Sequence, residues 1–169
     1  DVSLSGGAWT HLDNASAEVN RLCVSIGGNL TVASNAVLTA DFLGYDGGKG
    51  PGVGTLGRAG GGYGGTGGDA NVYDNGTGGP TYGSVYAPTN CGSGGNGSST
   101  FSGGGCIQIS VVGSATIDGL ISANGRGGST PSGNYGCGSG GSIAISAASF
   151  GGAGTLTADG GNRTASYGA

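Results

Sequence analysis

The sequence predicts an all-β fold, a parallel β-solenoid in which short strands stack turn upon turn. Three observations predict it. Leu38-Thr39-Ala40-Asp41, Ile121-Ser122-Ala123-Asn124 and Leu156-Thr157-Ala158-Asp159 are one pattern: aliphatic, hydroxyl, alanine, then Asp or Asn. Each copy follows apolar residues at alternate positions: Val24/Ile26 and Leu30/Val32, then Ile107/Ile109/Val111 and Ile117, then Ile143/Ile145. Self-similar β segments recurring at a period of roughly 20–50 residues mark a stacked repeat architecture. No segment carries a sustained period of 3.6, and only Asn14 to Leu22 could close one or two helical turns.

A single domain covers residues 1–169. Residues 1–43 form a β segment poor in glycine. Val2 and Leu4 suit an entry strand, Trp9 and Leu12 a cover for the end of the stack, and Leu22 to Val32 and Val37-Leu38 further strands, with Gly27-Gly28-Asn29 and Asn35 turning the chain. Residues 44–104 are a Gly-rich excursion. Tyr63, Tyr73, Tyr82 and Tyr86 recur through it, Pro80 and Pro88 stiffen it, and Cys91 ties it down. A floppy loop of this length inside a compact domain is improbable, so the excursion is expected to be ordered, with glycine letting backbone approach backbone. Residues 105–169 hold two further repeat units. Gly105-Cys106-Ile107-Gln108-Ile109-Ser110-Val111 matches Gly141-Ser142-Ile143-Ala144-Ile145-Ser146-Ala147, with strands expected near 106–112, 115–122, 142–147 and 154–158. Tyr167-Gly168-Ala169 resumes the motif of Tyr82-Gly83-Ser84, which suggests part of a longer repetitive chain.

Composition excludes several classes. The 45 glycines follow no Gly-X-Y period, so the chain is not collagenous. Charged residues are 8% and apolar residues 35%, and the latter fall in strand patterns rather than scattered as in disorder. The five cations, Arg21, Lys49, Arg58, Arg126 and Arg163, are dispersed, so no basic stripe exists for nucleic acid. No apolar run reaches the ~20 residues of a membrane-spanning helix.

Cys23, Cys91, Cys106 and Cys137 lack the close pairs of a zinc site, so no metal is expected. An even number in a chain rich in Asn, Ser, Thr and Gly reads as two disulfides formed in an oxidising compartment. Cys91 and Cys137 share the context Cys-Gly-Ser-Gly-Gly, which favours Cys91–Cys137 and leaves Cys23–Cys106; four cysteines allow three connectivities, and the sequence leaves the others open. Sequons at Asn14, Asn29, Asn75, Asn96 and Asn162 fit either N-glycosylation of a secreted protein or turn chemistry.

No catalytic residues are expected. Asp41, Asp46, Asp69, Asp74, Asp118 and Asp159 offer carboxylates for a sugar-cleaving pair, but Asp41 and Asp159 occupy equivalent repeat positions, which favours a turn or ladder role. Gly64 to Val72 resembles one copy of the calcium-binding nonapeptide G-G-x-G-x-D-x-U-x, with Asp69 at the acidic position and Asn71 where an aliphatic residue belongs. A single imperfect copy implies no cofactor. A lone His11 gives no support to Ser/His/Asp chemistry.

Tyr-Gly-Ser before a Gly-rich turn, then Gly-Gly-x-Ile-x-Ile-Ser, then Leu-Thr-Ala-Asp-Gly, together spanning about 57–165, resemble the Gly-rich parallel β-helix segments of large secreted and cell-surface, adhesin-like proteins. The resemblance implies a right-handed β-solenoid with an extracellular structural or adhesive role, and transfers no catalytic residue. The expected function is a non-enzymatic building block of an extracellular fibre, sheath or surface appendage, self-associating end to end into a filament. A glycan-binding adhesin domain is the alternative, and a polysaccharide-degrading β-helix enzyme the third.

Overall fold

The computed structural model describes residues 1–70, 75–127 and 135–162. Among these there are eleven strands and no helix: β1 (Val2–Leu4), β2 (Gly7–Trp9), β3 (Leu22–Ile26), β4 (Leu30–Val32), β5 (Ala36–Thr39), β6 (Cys106–Val111), β7 (Ser114–Ile117), β8 (Leu120–Ser122), β9 (Ser142–Ser146), β10 (Ser149–Gly151) and β11 (Thr155–Thr157).

The chain lays these strands down in a fixed cycle. β1, β4, β7 and β10 form a first sheet, β2, β5, β8 and β11 a second, and β3, β6 and β9 a third. Every pairing is parallel, so each circuit of the chain adds one strand to each sheet. This is the arrangement of a parallel β-solenoid. The alternating residues become rows that run through the stack. Leu22, Ile107 and Ile143 are in register, as are Val24, Ile109 and Ile145 in the third sheet. Trp9, Leu38, Ile121 and Leu156 form a row in the second sheet, and Leu4, Val32 and Ile117 one in the first. The core is made of the middle members of these rows, with Leu38, Ile107 and Ile121 wholly buried. Burying one such side chain contributes about 1.5–3 kcal/mol.

β2 and β10 are strands that alternation did not reveal, since Gly7-Ala8-Trp9 and Ser149-Phe150-Gly151 carry no polar–apolar rhythm. Trp9 packs against the end of the core, as expected; Leu12 stands 77% exposed and covers nothing. Around Asn14 a single turn closes, with Ala17 N–H donating to the Asn14 carbonyl at 3.0 Å.

The Gly-rich segments follow a different rule. Three successive donors, the N–H groups of Gly44, Tyr45 and Asp46, reach the carbonyls of Gly103, Gly92 and Ala15 on three separate segments. The N–H groups of Gly60, Gly61 and Gly62 likewise reach Gly68, Cys137 and Gly52. A β-strand sends its hydrogen bonds to two sides only, whereas three successive residues here bond to three separate segments. Such chains pack side by side only if the backbones touch. A Cβ on Gly95 would lie 1.9 Å from the Gly136 carbonyl oxygen, and one on Gly79 would lie 1.6 Å from that of Gly52.

Candidate functional site

The repeated Asp/Asn position proves to be a ladder. Asp41 Oδ1 accepts from the Asn124 N–H at 2.6 Å, and Asn124 Oδ1 accepts from the Asp159 N–H at 2.9 Å. The hydroxyl two residues earlier joins it: Ser122 Oγ donates to Asp41 Oδ2 at 3.0 Å, and Asn124 Nδ2 donates to Thr157 Oγ1 at 3.0 Å. Each turn therefore caps a backbone donor of the next, and the recurrence in sequence is the trace of that contact. A second chain of caps runs along the first sheet, where Asp1 Oδ1 accepts from Asn29 N–H and Asn29 Oδ1 accepts from Ser114 N–H, both at 2.8 Å.

The ladder leads to the two end turns. Among the described residues, β1, β2 and β3 have an unpaired edge on one side, and β9, β10 and β11 on the other. Phe150 and Leu156 continue the inward rows of Ala115 and Ile121, yet they remain 57% and 43% exposed because no described strand lies beyond them. Asp159 closes the described ladder in an exposed position. No strand of these end turns carries a charged residue or a proline within its span.

The cysteines pair otherwise than expected. The bond is Cys91–Cys106, with Cα atoms 4.9 Å apart, so neither Cys23–Cys106 nor Cys91–Cys137 forms. Register explains the first correction: Cys23 sits opposite Gln108, two residues beyond Cys106, and faces outward in an exposed position. The Gly-rich packing explains the second, because Gly92 N–H bonds to the Gly104 carbonyl and so draws Cys91 alongside Cys106. Beside the disulfide, a Glu18 carboxylate oxygen lies within 4.8 Å of both sulfurs. With the sulfurs bonded to each other, this set offers no thiolate, and Glu18 is engaged by Arg21 at 3.1 Å and Asn90 at 3.3 Å.

Three tyrosines pack around this cluster. Tyr63 and Tyr82 meet edge to face at 5.0 Å between ring centroids. Tyr82 accepts from Ser93 Oγ at 3.0 Å and donates to the Cys91 carbonyl. Burial, with the Glu18 charge adding to it, holds the phenols of Tyr45, Tyr63 and Tyr82 above the ordinary tyrosine range. The rings rest against glycine backbone: Cβ atoms on Gly52 and Gly83 would meet Tyr82 and Tyr63 at 2.8 Å.

The sequons separate by burial. Asn14 is 3% exposed, and its amide nitrogen, the atom a glycan would occupy, donates to the Asn20 and Leu43 carbonyls at 3.0 and 2.9 Å. Asn96 Nδ2 is held by the Gly54 carbonyl at 3.0 Å. Asn29, Asn75 and Asn162 are exposed, and Thr164 of the last sequon lies outside the described residues. So do Tyr73, Asp74, Arg163 and Tyr167 to Ala169, together with Asn71 and Val72 of the nonapeptide. Within that motif Asp69 Oδ1 accepts from Gly78 N–H at 2.8 Å. Two further carboxylates have structural partners: Asp118 caps Ala153 N–H at 2.9 Å and Asp46 accepts from Ser102 Oγ at 3.2 Å.

No family model, curated protein or solved structure matches this chain. Among the described residues no helix is long and apolar enough to cross a membrane.

Proposed function

We propose that this chain is a non-enzymatic structural unit of an extracellular fibre, sheath or surface appendage, a right-handed β-solenoid that associates end to end into a filament. The observation that carries the reading is the pair of unpaired end turns, with Phe150 and Leu156 exposed in rows that are buried one turn earlier. The Gly-rich segments act as an ordered excursion flanking the stack, and their close packing, low charge and disulfide suit a durable material. A disulfide fits an oxidising compartment, hence the cell surface or beyond.

Seating the first turn of one copy on the last turn of another places β1 on β10 and β2 on β11. The third sheet has three described strands where the others have four, so β3 then lies two strand spacings, roughly 9–10 Å, from β9. The contact rests on two sheets, joins unlike ends and propagates as a filament unless its rotation closes a ring.

Sedimentation velocity over a range of concentrations, with electron microscopy of the heaviest fractions, tests this. The expected result is concentration-dependent growth that is lost in the double variant Phe150→Lys, Leu156→Lys, while circular dichroism shows the β fold retained. A wild-type chain that stays monomeric throughout, or a double variant that assembles normally, overturns the proposal.

A further inference from the structure

On the outer face of the third sheet, spanning all three of its strands, lies a groove of about 600 Å³. Its floor is two outward rows in register, Cys23–Gln108–Ala144 and Ser25–Ser110–Ser146. Its wall is the segment Tyr86 to Thr89. Ser84 Oγ accepts from the N–H groups of Tyr86 and Ala87 at 3.2 and 3.3 Å, which fixes the turn that carries the wall. Tyr86 is 96% exposed, in contrast to the packed Tyr63 and Tyr82, so its ring is available to a ligand.

We infer that this groove binds a neutral oligosaccharide segment running along the stack axis. No residue lining it is charged, which gives a charged ligand no counterpart. What it offers instead is an exposed aromatic ring, a row of serine hydroxyls, the Thr89 hydroxyl and a primary amide. This combination matches a pyranose ring, whose faces present C–H groups and whose rim presents hydroxyls that both donate and accept. Gln108 Nε2 is shielded from solvent and has no hydrogen-bond partner among the described residues. A buried donor left unsatisfied is costly, and an amide rotation that brings it to a ligand hydroxyl removes that cost. The floor repeats at the strand spacing, roughly 4.8 Å, so it presents the same groups at regular steps to a ligand that is itself a repeat. A peptide adding as a strand fits less well, because that mode needs a sheet edge and this surface is a sheet face.

Cys23 supplies a built-in reporter, since its thiol is exposed, lines the groove and lies 3.5 Å from Gln108 Oε1. The probes are hexamers of β-1,4-linked glucose, β-1,4-linked mannose and β-1,4-linked N-acetylglucosamine, with an oligogalacturonate hexamer as the charged comparison. Calorimetry should show saturable binding of at least one neutral hexamer at millimolar concentration. The same hexamer should slow iodoacetamide alkylation of Cys23, followed by peptide mass mapping. Tyr86→Ala should weaken binding about tenfold and Gln108→Leu about threefold, in line with the loss of an aromatic anchor and one hydrogen bond. Tyr86 touches too little of the fold for its loss to unfold the protein, which circular dichroism checks. The inference is overturned if none of the neutral hexamers binds saturably. It is equally overturned if the charged hexamer binds best, or if binding ignores Tyr86→Ala and leaves Cys23 alkylation unchanged.

Discussion

The stack and the Gly-rich segments solve the same packing problem with opposite materials. In the stack, the sheets are held apart by their side chains, and Leu38, Ile107 and Ile121 fill the space between them. In the Gly-rich segments, backbone lies on backbone and almost nothing fills the space. Between the glycines the buried side chains are mostly small, Ser93 and Ser139 among them, with the Ser93 N–H donating to Ser139 Oγ at 2.9 Å; the buried rings, Tyr63 and Phe101, are few. The lesson is that burial has two currencies here. One is apolar area, and the other is hydrogen bonds shared among chains with no side chain to separate them. The two regions should therefore fail under opposite substitutions.

The largest effects test that opposition directly. Leu38→Ala empties a fully buried site in the stack and should cost about 3–5 kcal/mol. Adding one carbon should do as much damage among the glycines. Gly95→Ala places its Cβ 1.9 Å from the Gly136 carbonyl oxygen, against backbone that cannot swing aside, and should cost about 3 kcal/mol or more. Gly65→Ala, with nothing within 4 Å, should change stability by less than about 0.5 kcal/mol. Urea midpoints of the three variants decide the matter. If Gly95→Ala and Gly65→Ala unfold alike, the Gly-rich segments are not close-packed.

How far the sequence could be read differs between the regions for the same reason. Side chains leave a periodic trace, so β3, β6 and β9 are visible in the alternation of Val24/Ile26, Ile107/Ile109 and Ile143/Ile145. The aliphatic-hydroxyl-Ala-Asp/Asn pattern even foretells the ladder of Asp41, Asn124 and Asp159. Backbone-to-backbone packing leaves no such trace. Nothing in a run of glycines states which segment lies beside which, and the cysteine pairing depends on that. Cys91 meets Cys106 because residues 92 and 104 are hydrogen-bonded, a fact of three-dimensional packing with no sequence signature. Asn14 shows the same limit: its sequon is local, whereas its burial depends on Leu43 and Cys91, far along the chain. The Tyr86 groove was equally hidden, since its floor comes from three turns and its wall from a fourth segment. The available hint was a tyrosine beside Val85, an apolar pair in an otherwise small and polar stretch.

The disulfide joins the two regions, and its removal should have the next largest effect. Cys91 lies among the glycines and Cys106 opens β6, so the bond pins one material to the other. It closes a loop of 15 residues, for which the chain-entropy model gives about 3 kcal/mol. The double variant Cys91→Ser, Cys106→Ser should lower stability by about that much. Hydrogen exchange should localise the loss: amides of Gly92 and Gly104 should exchange faster, while those of Val32 and Ile121 keep most of their protection. Uniform loss across both regions would show that they unfold as one unit and are not separable materials.

The smallest expected effect concerns the tyrosines at the junction, and it sharpens the comparison by pH. Tyr45, Tyr63 and Tyr82 are held neutral in the fold chiefly by burial, so their folded-state pKa values lie above the unfolded value of about 10. The folded chain then keeps protons that the unfolded chain releases. The stability linked to these groups is complete below pH ~10, and it declines as pH rises from there toward the folded values. Tyr82 has the firmest attachments, to Ser93 and the Cys91 carbonyl. Tyr82→Phe should cost about 1 kcal/mol at neutral pH through the lost hydrogen bonds, and should make the alkaline decline shallower. Urea midpoints measured from neutral pH to about pH 11 give both quantities in one series. A variant whose stability falls as steeply as wild type would show that the alkaline sensitivity arises elsewhere, and that the junction is not where the glycine packing first yields.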